Sequence, residues 1–372
     1  MSETIELLKK LIACPSVTPN EAGTFAMVRD FLPEFRAELI EENGIQNLWL
    51  TRKNGPGPHL CFAGHLDVVP PGEGWSSDPF MPLEEGGFIT GRGAQDMKAG
   101  AAAFLVACKH TPFNGTLSVL LTADEEGDAI YGTQTVLKRL RDRGELPDMA
   151  VVAEPTCEKV FGDTLKVGRR GSINGTLIVK GKSGHVAYPE KCVNPIELIA
   201  PVLHKLAGVD LDAGDEHFAP SKLVITDIRG GYEVVNLTPG SLKIMFNVRN
   251  STATDRDKLE SYVRGVLGQA GINDYELTLK QSSFPFVTRQ GKWAAKLTSA
   301  ISAAIEAQTG VRPKAGTGGG TSDARYFGAF GIDVVEFGPV NDRIHAANER
   351  VPAADVEALM RIFSDLIGRL GR

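Results

Sequence analysis

The stretch LCFAGHLD at residues 60–67 is a short apolar run that ends in a histidine and an aspartate. We predict that residues 60–63 form a buried strand, because such a run is typical of a strand covered on both faces. Similar runs occur at 117–123 and 149–153, and helical patterns lie between them. This alternation indicates an α/β layer with a mostly parallel sheet.

The pattern changes between residues 171 and 285. Helices are predicted to begin after the N-caps Asn194 and Thr254. Four strands accompany them: SINGTLIVKG (172–181), KLVITDIRG (222–230), SLKIMFNVR (241–249) and YELTLKQSS (275–283). The order β-α-β-β-α-β is that of a ferredoxin-like module. We therefore predict a discontinuous catalytic domain, 1–170 and 286–372, with an inserted α+β lid and dimerisation domain at 171–285.

Length and composition exclude several classes of protein. The 372 residues exceed one ordinary core, and 42% hydrophobic with 23% charged residues is the usual globular balance. The net charge of -6 argues against nucleic-acid binding. No run approaches the ~18 apolar residues of a membrane span. The N-terminal segment does not resemble a signal peptide, and the five scattered cysteines lack a CxxC pair, so we expect reduced thiols in the cytoplasm.

Metal-capable side chains recur after the predicted strands, where ligands bind in open α/β sheets. We predict one pocket rim built from His65 and Asp67 after the first strand, residues 124–126 after the second, Glu154 after the third, His345 after a strand at 333–337, and Asp96 in a glycine-rich loop that opens a helix.

Imidazole and carboxylate ligands without thiolate suit catalytic zinc or a similar divalent ion. Two ions need one shared carboxylate and roughly two further ligands each, which is the number of candidates available. We therefore predict two zinc ions per subunit. Co²⁺ is an expected substitute, because ligand type discriminates weakly among divalent metals.

Two short motifs have a chemical and a structural interpretation. His65 and Asp67 share one face of an extended segment, so the Asp67 carboxylate is expected to orient the imidazole; the alternative is a turn with a capping aspartate. In the pair Glu125-Glu126, one carboxylate would bind metal and the other accept a proton from water; the alternative is a solvated acidic turn.

The segment GTGGGTSD at 316–323 has no lysine after its glycines and is not a phosphate-binding loop of the Walker type. We predict a loop that approaches substrate and whose serine or threonine caps the next helix. The remaining histidines, His59, His110, His204 and His217, are expected to be structural or surface residues.

Five blocks of the sequence resemble, in order, those of the dizinc aminoacylase/carboxypeptidase family: AGHLDVVPPGEGW, TGRGAQDMKAG, LLTADEEG, VVAEPT and RIHAANER. The similarity extends over nearly the whole chain and implies an amide hydrolase. It also implies these site residues: His65 and Glu154 on one zinc, Glu126 and His345 on the other, Asp96 bridging them, and Glu125 as general base.

The blocks GRRGSINGTL (168–177), GKSGHVAYPE (181–190) and GGGTSDARYF (318–327) are most similar to one branch of the family. That branch implies hydrolysis of N-succinyl-LL-2,6-diaminopimelate and a homodimer in which His185 enters the other subunit's active site. It implies substrate contacts by Arg170, Tyr188, Asn236, Arg249, Gly319, Thr321 and Ser322. Acetylornithine deacetylases, aminoacylases and dipeptidases share the metal site and remain alternatives, as does a non-catalytic binding relative.

Overall fold

The computed structural model describes residues 2–288 and 291–371, which form two compact units. The first unit comprises Met1–Gly168, Val287–Gly316 and Ser322–Arg372. The second unit comprises Arg169–Phe286 and Thr317–Thr321.

The strands of the described residues are, in chain order, β1 (Arg36–Glu42), β2 (Ile45–Lys53), β3 (His59–His65), β4 (Leu83–Glu85), β5 (Phe88–Thr90), β6 (Thr116–Thr122), β7 (Met149–Val152), β8 (Thr164–Lys166), β9 (Gly168–Arg169), β10 (Ser172–Lys180), β11 (Val209–Asp210), β12 (Lys222–Gly230), β13 (Ser241–Arg249), β14 (Tyr275–Ser283), β15 (Phe286–Val287), β16 (Lys314–Gly316), β17 (Asp333–Glu336) and β18 (Arg350–Pro352).

The α-helices are α1 (Glu3–Ile12), α2 (Thr24–Phe31), α3 (Ala99–His110), α4 (Thr133–Arg143), α5 (Pro195–Ile199), α6 (Arg256–Gln269), α7 (Ala294–Thr309), α8 (Ala324–Ala329) and α9 (Ala353–Leu370). Two short 3₁₀ segments lie at Pro189–Lys191 and Ala200–Lys205, and one irregular π-type turn lies at Ala94–Lys98.

The first unit is built on an eight-stranded sheet of order β1-β2-β6-β3-β7-β17-β8-β16. Strands β6, β3, β7 and β17 are parallel neighbours, and β1 and β2 extend that edge in antiparallel pairing. Every residue of β7 is buried, and so is all of β3 after His59, as expected for strands covered on both faces. The mostly parallel sheet predicted from the sequence is confirmed.

Helix α3 packs close to the sheet because its sequence is rich in small residues. A Cβ atom added at Gly100 would lie 2.2 Å from the carbonyl oxygen of Ala153, so only glycine fits there. Phe62 of β3 stacks on Phe104 of α3, with ring centroids 5.7 Å apart, and meets Phe363 of α9 edge-on at 5.2 Å. Each such pair stabilises the fold by about 0.5–1.5 kcal/mol beyond its burial.

The second unit has a five-stranded antiparallel sheet of order β11-β12-β13-β10-β14. Its sheet and helices enclose a separate apolar core that includes Ile173, Leu177, Phe246, Leu259 and Val263. Without the short edge strand β11, the order of the four long strands is that of a ferredoxin-like fold, as predicted.

Two local predictions are wrong in detail. The helix predicted from Asp96 onward begins only at Ala99, because Asp96 and Met97 have non-helical backbone angles. The side chain that caps α6 is Asp255, whose carboxylate accepts the amide of Lys258. The hydroxyl of Thr254, predicted to cap this helix, donates instead to Asp212.

Two further features concern the cysteines and the helices. The five cysteines, all within the described part of the chain, are free thiols. Among the described residues, no helix combines the length and the apolar character needed to cross a membrane.

Candidate active site

The side chains predicted to bind metal come from the carboxyl ends of neighbouring strands in the first unit. His65 is the last residue of β3, Glu154 follows β7, and Glu126 follows β6. Because these strands are adjacent and parallel, their carboxyl ends share one edge of the sheet. Two loops complete the group: Asp96 lies between β5 and α3, and His345 lies between β17 and β18.

The five side chains form two half-sites that share Asp96. His65 Nε2 lies 3.1 Å from Asp96 Oδ1 and 3.8 Å from Glu154 Oε1. His345 Nε2 lies 3.5 Å from Asp96 Oδ2 and 3.0 Å from Glu126 Oε1. The two oxygens of one carboxylate therefore face two different imidazoles, which is the arrangement that a carboxylate shared by two ions requires.

The charges of these groups favour cations at the shared site. Hydrogen bonds to Asp96 and Glu126 raise the pKa of His345 to about 10. Burial lowers the pKa of His65, but Asp96 and Glu154 outweigh it, so that the pKa lies well above its usual value. Burial and the charge of Asp96 raise the pKa of Glu154. Divalent ions would supply the positive charge that protons on the imidazoles otherwise provide.

Both the backbone and the carboxylate of Asp67 face the ring of His65. His65 Nδ1 donates a 2.8 Å hydrogen bond to the backbone carbonyl of Asp67, and the Asp67 carboxylate is 3.7 Å from the same nitrogen. One carboxylate oxygen accepts the amide of Glu126 at 3.1 Å. The carbonyl is therefore the nearer acceptor, and the role expected of the carboxylate stays a prediction. Since Nδ1 is the donor, the Nε2 lone pair remains for a metal.

Glu125 lies beside the half-site of His65 and Glu154. Ligand-capable atoms of these three side chains all lie within 4.8 Å of one another. Burial raises the pKa of Glu125 to about 8; His65 lowers it, and the neighbouring Asp323 raises it. The geometry thus places a carboxyl group of raised pKa next to the candidate ligands, and Glu125 itself has the chemistry of a ligand.

The glycine-rich segment does not cap the helix that follows it. α8 begins at Ala324 after Asp323, and that N-cap residue makes no side-chain cap. Ser322 Oγ is buried without a hydrogen-bond partner, and Thr321 Oγ1 lies 3.1 Å from Ser283 Oγ within the second unit. Gly319 has a φ of +95°, which favours glycine. The capping prediction is therefore wrong.

His185 and two of the predicted substrate-contacting residues, Tyr188 and Asn236, lie together in the second unit. His185 is exposed, and its Nδ1 accepts the amide of Ala187 at 3.1 Å, so a neutral ring carries its proton on Nε2. The ring of Tyr188 meets His185 at a centroid distance of 6.0 Å. The backbone carbonyl of Asn236 accepts a hydrogen bond from the amide of Val186 at 3.2 Å, and Asn236 is exposed.

Arg170 and Arg249 are neighbouring cations of the second unit. Burial lowers the pKa of Arg249, and the charge of Arg170 lowers it further. Arg170 Nε is buried without a hydrogen-bond partner. Two like charges held together in this way favour an anionic ligand.

Sequence reasoning assigned no role to three residues that surround Asp96 and His345. Arg92 and Gln95 lie in the block TGRGAQDMKAG, and Glu349 lies in RIHAANER. Their position inside two blocks that resemble the family could have drawn attention to them, but only the structure shows that they contact one another.

The sequence matches a known protein family. The model of Peptidase family M20/M25/M40 matches residues 61–369. The chain belongs to this family. The M20/M25/M40 match therefore includes every candidate metal ligand and the whole of the second unit.

Curated relatives of this M20-family chain are similar over almost its full length. Succinyl-diaminopimelate desuccinylase of Wolinella succinogenes is 57% identical over 98% of this chain and 99% of its own. The desuccinylase of the same name from Sulfurimonas denitrificans is 55% identical, with the same coverage of both chains.

Solved structures show the same M20 fold at low sequence identity. An M20 metallo-carboxypeptidase from Sulfolobus solfataricus aligns with a TM-score of 0.80 and 17% identity, covering 100% of both chains. A dinuclear metal-binding M20 peptidase from Bacillus subtilis aligns with a TM-score of 0.72 and 17% identity, covering 98% of this chain and 96% of its own.

Proposed function

We propose that this M20-family hydrolase cleaves N-succinyl-LL-2,6-diaminopimelate to succinate and LL-2,6-diaminopimelate, a step of lysine and diaminopimelate biosynthesis in the cytoplasm. The observation that carries the proposal is the Asp96 carboxylate, whose two oxygens face His65 and His345. The desuccinylases named above support the substrate, because they are more than half identical over nearly the whole chain.

The donor set fits two divalent ions. His65 and Glu154 would hold one ion, Glu126 and His345 the other, and Asp96 both. Two imidazoles and three carboxylates without thiolate favour zinc, with Co²⁺ as a substitute. When bound, such a pair of ions lowers the pKa of a water molecule and polarises the scissile carbonyl.

Glu125 would move the proton. Its carboxylate accepts a proton from the attacking water as the carbon–oxygen bond forms, and returns it to the amine nitrogen as the carbon–nitrogen bond breaks. The Nε2–H of His185 would donate to the carbonyl oxygen as that oxygen gains negative charge. The role of His185 needs the tautomer that its Nδ1 hydrogen bond favours. Burial raises the pKa of Glu125 to about 8, and two cations bound beside it would lower that pKa, as the role of base requires.

Arg170 and Arg249 would bind carboxylates of the substrate. A succinylated diaminopimelate carries several carboxylates, and guanidinium groups bind carboxylates through paired hydrogen bonds. The mutual repulsion of the two cations, which contributes to the lowered pKa of Arg249, would be relieved by an anion. Tyr188, Asn236, Gly319, Thr321 and Ser322 complete the proposed contacts.

We propose a homodimer in which His185 of each subunit serves the other subunit's active site. Apolar side chains are exposed on the second unit, most of all Val235, which is 97% exposed, with Val224 and Ile228 on β12. A surface of this kind is typical of a protein interface.

The test is a comparison of substrates on zinc-loaded protein. Hydrolysis of N-succinyl-LL-2,6-diaminopimelate is compared with that of N-acetylornithine and a simple dipeptide, each with and without a chelator. We expect a strong preference for the succinylated substrate, abolished by the chelator. Chelator-sensitive preference for another substrate would overturn the substrate assignment. No hydrolysis by protein that holds two ions would overturn the enzymatic function.

A further inference from the structure

Glu349 is a buried carboxylate that binds the backbone beside Asp96. Its Oε1 accepts the amides of Gln95 and Asp96 at 2.7 and 3.0 Å, and its Oε2 accepts the amide of Gly93 at 3.0 Å. The Glu349 side chain thus accepts hydrogen bonds from three amides of one turn, although it lies about 250 residues away in the sequence. Glu349 therefore fixes the backbone from which the shared carboxylate projects.

Arg92 connects the same carboxylate to the segment of His345. Its Nη1 donates to Glu349 Oε2 at 2.7 Å, and both side chains are only 1% exposed. The guanidinium also donates to the carbonyls of His345 at 3.4 Å, Ala346 at 3.3 Å and Pro71 at 2.9 Å. One planar cation therefore links Glu349, which binds the backbone of Asp96, to the segment of His345.

The backbone of His345 needs such support. Its φ is +60°, a left-handed conformation that costs a non-glycine residue of order 1–3 kcal/mol and persists only where its surroundings hold it. The Arg92 hydrogen bond to its carbonyl is one restraint. Gln95 supplies another: its side-chain amide donates to Asp342, and its side-chain oxygen accepts the amide of Arg343 at 3.0 Å.

We propose that Arg92, Gln95 and Glu349 are positioning residues, which hold the segments of Asp96 and His345 at the separation that the second ion requires. The inference rests on the proposed dimetal function. A buried ion pair contributes little net stability compared with apolar residues of similar size, so stability alone does not account for this cluster. The side-chain hydrogen bonds of these three residues end on one another, on the two ligand segments or on Pro71.

The test measures metal binding by calorimetric titration of metal-stripped protein. The wild type should bind two ions, and His345→Ala identifies the second ion as the one whose binding is lost. Gln95→Ala and Arg92→Lys should lower the affinity for that second ion by about ten- to a hundredfold and leave the affinity for the first ion little changed. Added metal should then restore kcat with little change in KM.

Arg143→Lys is the matched control, because Arg143 forms a bidentate pair with Glu38 on the surface of the same unit. It should bind both ions as the wild type does. Gln95→Ala leaves the buried ion pair intact and decides the question if Arg92→Lys does not fold.

Unchanged binding of both ions by Gln95→Ala, or equal weakening of both, would overturn the positioning role. A wild type that binds fewer than two ions would instead overturn the proposed dimetal function. The two failures are thus distinguished in the same titration.

Discussion

Replacing Glu125 by glutamine isolates the proton-transfer step. The amide has the same shape as the carboxylate but does not accept a proton at neutral pH, so the attacking water loses its base. General-base catalysis contributes ~10²–10⁴-fold, which corresponds to about 3–5 kcal/mol in the barrier. Because Glu125 is not among the five proposed ligands, Glu125→Gln should lose that factor in kcat while it keeps both ions and a similar KM.

The assay measures kcat and KM for the succinylated substrate together with the zinc content of the same sample. Glu145→Gln, an exposed position of the first unit, is the matched control and should behave as the wild type. Near-normal kcat in Glu125→Gln would refute the base assignment. Loss of one ion would show that Glu125 is a ligand, as its position beside His65 and Glu154 also permits.

Three further results are expected. The pKa of His345 is about 10, and the pKa values of His65 and Glu154 are raised, so zinc binding near neutral pH should release protons. Calorimetry in buffers of different ionisation enthalpy measures this release, and no release would contradict the ligand assignment. Arg249→Met should raise KM for the succinylated substrate roughly ten- to a hundredfold, measured in steady-state assays, and an unchanged KM would remove Arg249 from the substrate contacts. Burial lowers the pKa of His59 from 6.5 to about 4, so the unfolded state binds an extra proton as the pH falls between these values. Through this group, the free energy of unfolding should therefore decrease by up to about 1.4 kcal/mol for each pH unit below 6.5. Urea unfolding of His59→Gln should show a shallower pH dependence of stability than the wild type. An identical pH dependence would refute the lowered pKa of His59.

Much of the fold follows from local patterns in the sequence. The predicted strands of both units and the N-cap at Asn194 lie where apolar periodicity and capping residues place them, although further strands such as β1 and β2 are not predicted. The ferredoxin-like order also follows, because it depends only on the sequence of element types. These features are predictable since each is determined by residues close together in the chain.

Local patterns fail where a residue far away in the sequence forms a hydrogen bond with the predicted element. The turn at Asp96 does not extend α3, and its amides bind Glu349, a residue that no local rule connects to it. Thr254 does not cap α6, because its hydroxyl donates a hydrogen bond to Asp212. At Asp67 the carboxylate accepts the amide of Glu126, which is 59 residues away, and the backbone carbonyl accepts the hydrogen bond of the His65 ring. Local rules fail at such positions because tertiary hydrogen bonds outweigh them.

The most direct test of the central claim is anomalous diffraction from crystals of the zinc-loaded protein. We predict two zinc peaks ~3.5–4 Å apart on either side of the Asp96 carboxylate. His65 and Glu154 should bind one ion, and Glu126 and His345 the other. A single peak, or two peaks that do not share Asp96, would contradict the account.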